Sequence, residues 1–293
     1  MKNQKPSLVY AIDNDYIPHF ATSLTSLLRA NPSLFARIFV IMSQPDVTQM
    51  NKAVKFFKNE FNVNLELLDF DVLQFEPSEL SEELPKSVTT YFRMFIAELL
   101  PRDIEKVLYL DSDTVILGKL DGLVNQEFNN HYFYAVPECL FSIHTVPEKL
   151  LQENLIGKHY FNAGVMLIDV DKWRDETTSN QLLKTGQIYR NIIQMWDQDI
   201  LNIHFKNQIG ELKGQFNSFI MFNKTNPDPS IIHYAGPVKP WHVLNSHPYR
   251  AEYKFFRSQT PFKFRRTMNV SLRPAVLQFL HKSTLVEKII ESI

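Results

Sequence analysis

The sequence predicts an α/β protein with a mainly parallel central sheet. Short apolar runs of strand length, such as residues 7–12 and 38–42, alternate with longer stretches in which apolar residues recur at helical spacing. A chain in which strands and helices alternate favours parallel strands joined by right-handed crossovers. Sheets of this kind bind their ligands beyond the carboxyl ends of the strands, so we expect a functional crevice at that edge.

The first 70 residues are predicted to form three strands and the two helices between them. The strands cover residues 7–12, 38–42 and 63–68, which are short, apolar and rich in branched side chains. Both helices are predicted from apolar stripes at helical spacing. The first stripe consists of Phe20, Ser23, Leu24, Leu27 and Leu28, and the second of Met50, Val54 and Phe57.

The central part of the chain leads to the first functional candidates. A helical pattern covers residues 90–100 and stops at Pro101, because proline cannot continue a helix. Residues 106–110 then form a fully apolar strand that runs directly into Asp111. The remaining predicted elements are strands at 114–117, 132–136 and 165–168 and helices at 179–189 and 198–205.

Composition and charge set the broad class of protein. The 293 residues are 44% apolar and carry a formal net charge of -1, which is typical of a globular protein and offers no positive field for nucleic acid. Cys139 is the only cysteine, which excludes an internal disulfide, and we expect it to be a buried spectator. We find neither a signal-like start nor an apolar run near the roughly 18 residues of a membrane span, and therefore expect a cytoplasmic protein. No repeat or linker divides the chain, which predicts one main domain over residues 1–249 and an appended tail over 250–293.

Two carboxylates stand together at the end of the strand at 106–110. Asp111 and Asp113 are two residues apart, so in an extended chain their side chains point the same way, into the expected crevice. Converging carboxylates suit Mg²⁺ or Mn²⁺, which prefer oxygen ligands and leave positions for substrate phosphates. The alternative is a polar turn between two strands, because Asp and Ser are common turn residues.

A second group of candidates lies between residues 231 and 241. His233 could complete the coordination of a metal such as Mn²⁺, and Gly236 would permit close approach of the backbone to a ligand. Lys239 could neutralise the charge that appears on a departing diphosphate. The alternative for His233 is a hydrogen-bonded structural residue beside Tyr234.

Six blocks of sequence carry a resemblance to a known family. They are residues 11–16, 90–93, 106–113, 160–165, 197–202 and 233–241. In this order the blocks resemble glycosyltransferase family 8, which includes bacterial lipooligosaccharide galactosyl- and glucosyltransferases and, more distantly, glycogenin. The resemblance implies a GT-A nucleotide-sugar-binding fold, Mn²⁺, and a UDP-glucose or UDP-galactose donor. It also implies retaining transfer to a saccharide or glycolipid acceptor in lipopolysaccharide or other surface-glycan synthesis.

The resemblance assigns metal and donor roles to particular residues. Asp111, Asp113 and His233 would be the metal ligands. The donor nucleotide-sugar would meet Ala11, Asp13, Asn14, Asp15, Tyr16, Arg93, Ser112, Gly236 and Lys239. The first block departs from the family, because related transferases often read Asp-Asp-Asn-Tyr where this chain reads Asp-Asn-Asp-Tyr. The alternative for Arg93 is a solvated helix face.

The sugar and acceptor side would be lined by Asn162, Ala163, Asp197 and Gln198, and Glu138 aligns loosely with an acceptor-contacting carboxylate. Lys239, Asp197 and Gln198 are the catalytic candidates. A double displacement needs a carboxylate at the far face of the sugar, where Asp197 or Gln198 are the nearest candidates, whereas a front-face route needs none. Both routes remain open.

The tail combines basic and aromatic residues. Residues 249–257 and 262–266 contain six basic residues and six aromatics, which suits an anionic lipid surface with aromatic anchors. From Pro274 the pattern predicts a helix with an imperfect apolar face. The alternative is that this tail docks on the core of the protein.

Two enzymatic alternatives compete with a UDP-sugar transferase. An apolar strand followed by Asp111 and Asp113 also resembles the nucleophile motif of a haloacid-dehalogenase-type, Mg²⁺-dependent phosphatase. That alternative leaves His233 unexplained and lacks a downstream Gly-Asp-x-x-x-Asp pattern. The second alternative is a glycogenin-like protein that glucosylates itself.

Overall fold

The computed structural model describes residues 5–70, 76–82, 87–138, 148–175, 178–219, 228–236, 239–243, 245 and 247–267. Ten strands lie within these residues. They are β1 Ser7–Ala11, β2 Ile38–Met42, β3 Leu65–Asp69, β4 Lys106–Leu110, β5 Thr114–Ile116, β6 Phe133–Pro137, β7 Phe161–Asp169, β8 Ile209–Glu211, β9 Ser218–Phe219 and β10 Ile231–His233.

Seven of the strands form a central sheet in the order β3-β2-β1-β4-β7-β6-β8. Each neighbouring pair is parallel except the two pairs that involve β7, which runs against both β4 and β6. The prediction of an α/β protein with a mainly parallel sheet is therefore confirmed. The strand predicted at 165–168 is longer than expected and reversed, because it returns along β4 from Leu110 to Lys106.

The α-helices of the described residues are α1 Ile17–Ala30, α2 Val47–Phe61, α3 Ile96–Leu99, α4 Asp121–Val124, α5 Glu148–Gln152, α6 Val170–Asp175, α7 Thr178–Tyr189, α8 Trp196–His204 and α9 Arg250–Ser258. Local chemistry explains the ends of α2. The carboxylate of Asp46 accepts the backbone N–H of Gln49 at the start, and Asn62 ends the helix in the left-handed conformation with a φ of 53°.

The segment predicted as one helix over residues 90–100 differs from the expectation. Val88–Phe95 is a 3₁₀-helix, and only Ile96–Leu99 continues it as α-helix. Side chains three residues apart align in a 3₁₀-helix. Thr90 and Arg93 consequently lie on one face, and both contact Asp197. The 3₁₀ conformation thus places both side chains on Asp197, one of the predicted site residues.

The central sheet is covered on both faces by apolar side chains. Val9, Phe39 and Val107 face one core, which lies beneath α3, α6, α7 and α8. Leu8, Val40 and Leu108 face the opposite core, which contains the apolar stripes of α1 and α2. Neighbouring strand residues point to opposite faces, so burial on both sides explains why the strands read as continuous apolar runs.

A second, three-stranded sheet stands at the carboxyl end of the central strands, in the order β5-β10-β9. The antiparallel pair of β5 and β10 aligns Thr114 with His233. The strand predicted at 114–117 therefore exists, but it belongs to this small sheet. Its pairing brings His233, from far along the chain, beside the residues that follow β4.

The start of the tail packs on the main body of the protein. Tyr253 of α9 is buried, and its hydroxyl lies 2.5 Å from Nδ1 of His19 in α1. Phe262 is also buried, whereas Phe255, Lys263, Arg265 and Arg266 are exposed. The helix predicted from Pro274 lies outside the described residues, as does Cys139. Among the described helices, none has the length and hydropathy needed to cross a membrane.

Candidate active site

The two aspartates of the predicted clasp follow β4 at the carboxyl edge of the central sheet. The backbone N–H of Asp111 donates to the carbonyl of Gly164 on the reversed strand β7, at 2.8 Å. The backbone carbonyl of Asp113 accepts the N–H of Tyr234 at 2.9 Å, which joins the clasp to the end of β10. Ser112, between them, is buried. The backbone of Asp111 is therefore held by β7, and the backbone of Asp113 by the residue that follows β10.

His233 completes a three-residue group with these carboxylates. Its Nε2 lies 3.3 Å from Oδ1 of Asp113 and 3.7 Å from Oδ2 of Asp111. One ligand atom from each of Asp111, Asp113 and His233 lies within 4.8 Å of the others. Two carboxylates and an imidazole suit a divalent ion such as Mn²⁺. The structure thus brings the three predicted ligands together.

The backbone beside this group leaves no room for a side chain. A Cβ on Gly164 would lie 2.2 Å from Cε1 of His233 and 2.8 Å from Oδ2 of Asp111. A glycine is therefore needed where the imidazole approaches β7 closely. The shape of the site is consistent with a metal held by these three residues.

Lys239 places a positive charge beside the carboxylate of Asp113. Its Nζ lies 2.5 Å from Oδ2 of Asp113 and donates to the carbonyl of Tyr234 at 2.8 Å. Gly236, with a φ of 88°, turns the chain between Tyr234 and Lys239 in a conformation that favours glycine. Burial raises the pKa of Asp113, but neighbouring Lys239 and His233 outweigh this and hold that pKa well below its usual range.

Arg93 joins two parts of the site. Its guanidinium forms ion pairs with Asp111, at 3.0 Å, and with Asp197, at 2.9 Å. It also donates to the carbonyl of Ala163 at 2.6 Å and lies over the ring of Tyr109. The side chain is buried, so the alternative of a solvated helix face is wrong.

Asp197 is a buried carboxyl group whose pKa is raised. Its partners are Arg93 and the hydroxyl of Thr90, which donates to Oδ1. Burial raises the pKa of Asp197 to about 6, although the charge of Arg93 opposes the change. The carboxyl group is consequently poised close to neutral pH.

A buried polar network occupies the predicted sugar and acceptor side. Gln198 accepts through Oε1 from Nδ2 of Asn162 and from the backbone N–H of Ala163, both at 3.1 Å. Its Nε2 donates to Glu138 at 3.2 Å and to the hydroxyl of Tyr160 at 3.1 Å. Asn162 donates to the same carboxylate oxygen of Glu138 at 2.8 Å. Asn162, Ala163 and Gln198 thus lie together with Glu138, and Asp197 is linked to them through Arg93, which bonds the carbonyl of Ala163. The polar atoms of Gln198 contact protein groups.

Residues 11–16, the first of the six blocks, form a turn after β1 in which each side chain has a different environment. Asp13 accepts the backbone N–H of Tyr16 at 3.1 Å, and Asn14 bridges to the loop before α2 through Gln44 and Asp46. Asp15 is exposed. Tyr16 packs edge-on against Trp241, with ring centroids 5.9 Å apart, and burial raises its pKa. Ala11 ends β1 beneath this turn.

Several residues that support the site were not among the predicted site residues. Asn217 contacts His233, Tyr109 donates to Asp111, and Tyr160 and Asp199 support Gln198. Asn217 lies outside the six blocks, and Tyr109, Tyr160 and Asp199 lie inside them without a chemistry of their own that indicates a role. The buried strand position of Tyr109 favours an ordinary core residue, so only the tertiary structure identifies these contacts.

The arrangement can bind a cation and the charged part of a donor together. Two carboxylates and an imidazole face one point, and Lys239 stands beside them to meet negative charge. Arg93 pairs with both Asp111 of this group and Asp197. Next to Asp197 in the chain, Gln198 bonds to Asn162. The geometry suits a substrate that carries phosphates at one end and hydroxyl groups at the other.

Comparison with known proteins agrees with this arrangement. The family described as Glycosyl transferase family 8 matches residues 7–245. Glycosyltransferase GlyB of Streptococcus pneumoniae serotype 4 is 29% identical over 275 residues, which cover 85% of this chain and 61% of that protein. This chain therefore spans less than two thirds of the length of GlyB. Lipopolysaccharide 1,2-glucosyltransferase of Escherichia coli K12 is 26% identical over 88% of this chain and 79% of that protein.

A solved structure has a similar fold. The crystal structure of the galactosyltransferase LgtC with donor and acceptor sugar analogs superposes with a TM-score of 0.74 and 23% sequence identity. The match covers 88% of this chain and 97% of LgtC. The expectation of a GT-A fold is confirmed.

Proposed function

The chain belongs to glycosyl transferase family 8, and we propose that it is a retaining hexosyltransferase that moves glucose or galactose from a UDP-sugar to a saccharide or glycolipid acceptor. Glycosyltransferases of the GT-A fold use a divalent metal ion and a nucleotide-sugar donor. The observation that carries the proposal is the convergence of Asp111, Asp113 and His233 beside Lys239.

We propose that Asp111, Asp113 and His233 hold the divalent ion, with Mn²⁺ as the first candidate because imidazole joins the two carboxylates. A bound divalent ion would neutralise and orient the diphosphate of the donor. Lys239 would meet the charge that develops on the departing UDP, with Gly236 allowing the backbone to approach.

The nucleoside end of the donor is assigned to the turn after β1. Asp13 accepts the backbone N–H of Tyr16, whose ring packs against Trp241, and Ala11 ends β1 before this turn. Asn14 is already bonded to Gln44 and Asp46, so it would support this turn. Asp15, which is exposed, is free to contact the donor.

The sugar is assigned to the side of Asn162, Ala163, Asp197 and Gln198, with Arg93 and Ser112 between it and the diphosphate. Gln198 uses its amide groups within the protein, so we assign it a positioning role and favour the front-face route. Asp197 stays the candidate for the alternative route, in which a carboxylate attacks the sugar. Glu138, next to Asn162, is the candidate contact of the acceptor.

We place the reaction in the synthesis of lipopolysaccharide or another surface glycan, by analogy with the named function of the Escherichia coli relative. We propose a cytoplasmic location with peripheral contact to an anionic membrane surface. The exposed residues Phe255, Lys263, Arg265 and Arg266 support such a contact, because they combine an aromatic anchor with positive charge.

The phosphatase alternative is not favoured. It would use Asp111 as a nucleophile and gives no role to His233, whose Nε2 lies beside the carboxylates of both Asp111 and Asp113. Self-glucosylation is likewise not favoured, and intact-mass measurement after incubation with UDP-glucose would detect it.

Thermal unfolding with candidate donors tests the proposal. UDP-glucose, UDP-galactose and UDP-N-acetylglucosamine are compared with Mn²⁺ and with a chelator. A donor at 100 times its Kd should stabilise the protein by about 2.7 kcal/mol. We expect UDP-glucose or UDP-galactose to do so with Mn²⁺, and the chelator to abolish most of the effect. Stabilisation by no UDP-sugar, together with turnover of a phosphomonoester, would contradict the proposal.

A further inference from the structure

Asn217 is a buried residue that connects the metal-ligand group to the sugar side of the site. It lies between a 3₁₀ turn at Gly214–Phe216 and β9, and 2% of its surface is exposed. Its Oδ1 lies 2.9 Å from Nδ1 of His233, and its Nδ2 donates to Oδ1 of Asn162 at 2.7 Å. The amide of Asn217 therefore touches one residue of each subsite.

The orientation of the Asn162 amide is determined by hydrogen-bond partners that can act only as donors or only as acceptors. Its Oδ1 accepts the backbone N–H of Gly164 at 3.0 Å, and a backbone N–H can only donate. Its Nδ2 faces Oε1 of Glu138 at 2.8 Å and Oε1 of Gln198 at 3.1 Å, which are both acceptors. Asn162 consequently presents its oxygen, and not its nitrogen, to Asn217.

This orientation passes to Asn217 and then to His233. Because Oδ1 of Asn162 accepts, Asn217 must present Nδ2 to it and its own Oδ1 to the imidazole. An amide oxygen can only accept, so Nδ1 of His233 must carry a proton and donate. Nε2, which faces Asp113 and Asp111 at 3.3 and 3.7 Å, is then the nitrogen left to bind a metal.

We propose that Asn217 is a positioning residue that holds His233 in the Nδ1–H tautomer, so that the lone pair of Nε2 points at the metal. The inference rests on the proposed function, since it assigns an outer hydrogen bond to the same metal site. Metal-binding histidines commonly donate their other ring nitrogen to an oxygen, and loss of that partner typically weakens metal affinity by about 10- to 100-fold.

Packing alone does not supply this selection. Gly164 limits how far the imidazole can move toward β7, but a steric wall does not distinguish the two ring nitrogens as donor and acceptor. Asn217 does, because its oxygen is the described side-chain acceptor at Nδ1 of His233. The hydrogen bond to Asn217 thus determines which ring nitrogen of His233 carries the proton, and Gly164 leaves room for the ring.

Two variants at residue 217 separate this role from a purely structural one. Asn217→Leu removes the acceptor at similar size. Asn217→Asp keeps an acceptor for Nδ1 of His233 but loses the donor to Asn162, so it loses stability while preserving the tautomer. The affinity for Mn²⁺ is measured by the electron paramagnetic resonance signal of free Mn²⁺, alone and with saturating UDP, and thermal unfolding without metal reports the structural damage.

We expect Asn217→Leu to weaken Mn²⁺ binding by about 10- to 100-fold and Asn217→Asp to keep affinity within about threefold of the parent. Asn31→Leu is the matched control, because Asn31 is a buried asparagine whose amide bonds the backbone of Gly118 and Leu120. It should lose stability with unchanged Mn²⁺ affinity. Equal losses of affinity in both 217 variants, or none in Asn217→Leu, would overturn the inference.

A second measurement uses the unaltered protein. The ¹⁵N chemical shifts of the His233 ring, assigned by comparison with His233→Gln, should show a protonated Nδ1. An unprotonated Nδ1 would overturn the inference whatever the variants do. A parent protein that binds no Mn²⁺ at all would overturn both this inference and the proposed metal site, whereas normal Mn²⁺ binding by Asn217→Leu would overturn the inference alone.

Discussion

Nζ of Lys239 lies 2.5 Å from Oδ2 of Asp113, although 126 residues separate them in the chain. The contact exists because β10 pairs with β5 and returns the following segment to the end of β4. The ammonium group neutralises the carboxylate that His233 also approaches. Lys239 is thus positioned both to stabilise Asp113 and to meet a negatively charged leaving group.

Removing this cation should slow the reaction. We expect Lys239→Met to lower kcat by about 10²- to 10³-fold, because the charge on the departing UDP would lose a preorganised partner. The release of UDP from the preferred donor measures the rate. Lys119→Met is the matched control, since Lys119 is exposed and contacts only the carbonyl of Ala30 among the contacts described. A Lys239→Met enzyme with the parent rate would show that Lys239 acts only in folding.

The close approach of His233 to β7 predicts an effect of a single methyl group. Gly164→Ala should displace the imidazole, because the new Cβ would lie 2.2 Å from Cε1 of His233. We expect Mn²⁺ affinity to fall at least about tenfold, as measured by titration calorimetry. Gly214→Ala, whose Cβ would meet nothing within 4 Å, should bind Mn²⁺ normally. Tight Mn²⁺ binding by Gly164→Ala would contradict the role of His233 as a ligand.

Asp197 should make stability depend on pH in a particular direction. Burial raises its pKa from 3.8 to about 6, so between these values the folded protein binds more protons at this group than the unfolded chain. The contribution of Asp197 to stability therefore falls as the pH rises through that window, by up to about 3 kcal/mol. Urea unfolding of the parent and Asp197→Asn at about pH 4 and about pH 7 measures this.

The comparison between the two pH values cancels the constant cost of losing contacts with Arg93 and Thr90. The variant should gain stability relative to the parent as the pH increases. A difference between the two proteins that stays the same at both pH values would show that the pKa of Asp197 is not raised.

Two site variants should separate positioning from metal binding. Gln198→Ala is expected to lower turnover far less than Asp111→Ala, because the amide of Gln198 contacts protein groups while Asp111 belongs to the metal-ligand group. Steady-state kcat with the same donor and acceptor measures both. Equal losses would count against the front-face route and favour a direct role for Gln198 at the sugar.

The exposed basic residues after α9 should govern binding to anionic membranes. Arg265→Glu with Arg266→Glu should weaken sedimentation with phosphatidylserine-containing liposomes at least about tenfold, since each basic residue near such a surface contributes about 1 kcal/mol. Activity on a soluble acceptor should be kept. Deletion from Thr260 is a poorer test, because it also removes the buried side chain of Phe262.

The control reverses the same number of charges elsewhere. Lys184→Glu with Arg190→Glu, both exposed near α7, should leave liposome binding as in the parent. If both double variants bind liposomes equally well, the tail does not act as a membrane contact.

Much of the local structure could be predicted from the sequence. The strands Ile38–Met42 and Lys106–Leu110 have the predicted bounds, because strands buried on both faces are continuous apolar runs with polar ends. The predicted strand at 7–12 ends one residue earlier, at Ala11. Other boundaries moved where packing overrides local preference, as in the 3₁₀-helix that aligns Thr90 and Arg93 on Asp197.

The sequence by itself determined the strand and helix alternation of the first 70 residues and the clasp at the end of β4, because these depend on short-range patterns of polarity. Only the tertiary structure decided that β7 runs backwards, that β5 leaves the central sheet, and that the β5–β10 pairing is what brings the expected ligand His233 to Asp113. Each depends on which distant backbones pair and in which register. The contact of Asn217 with His233 is of the same kind, since a lone asparagine acquires a role only through the neighbours that folding gives it.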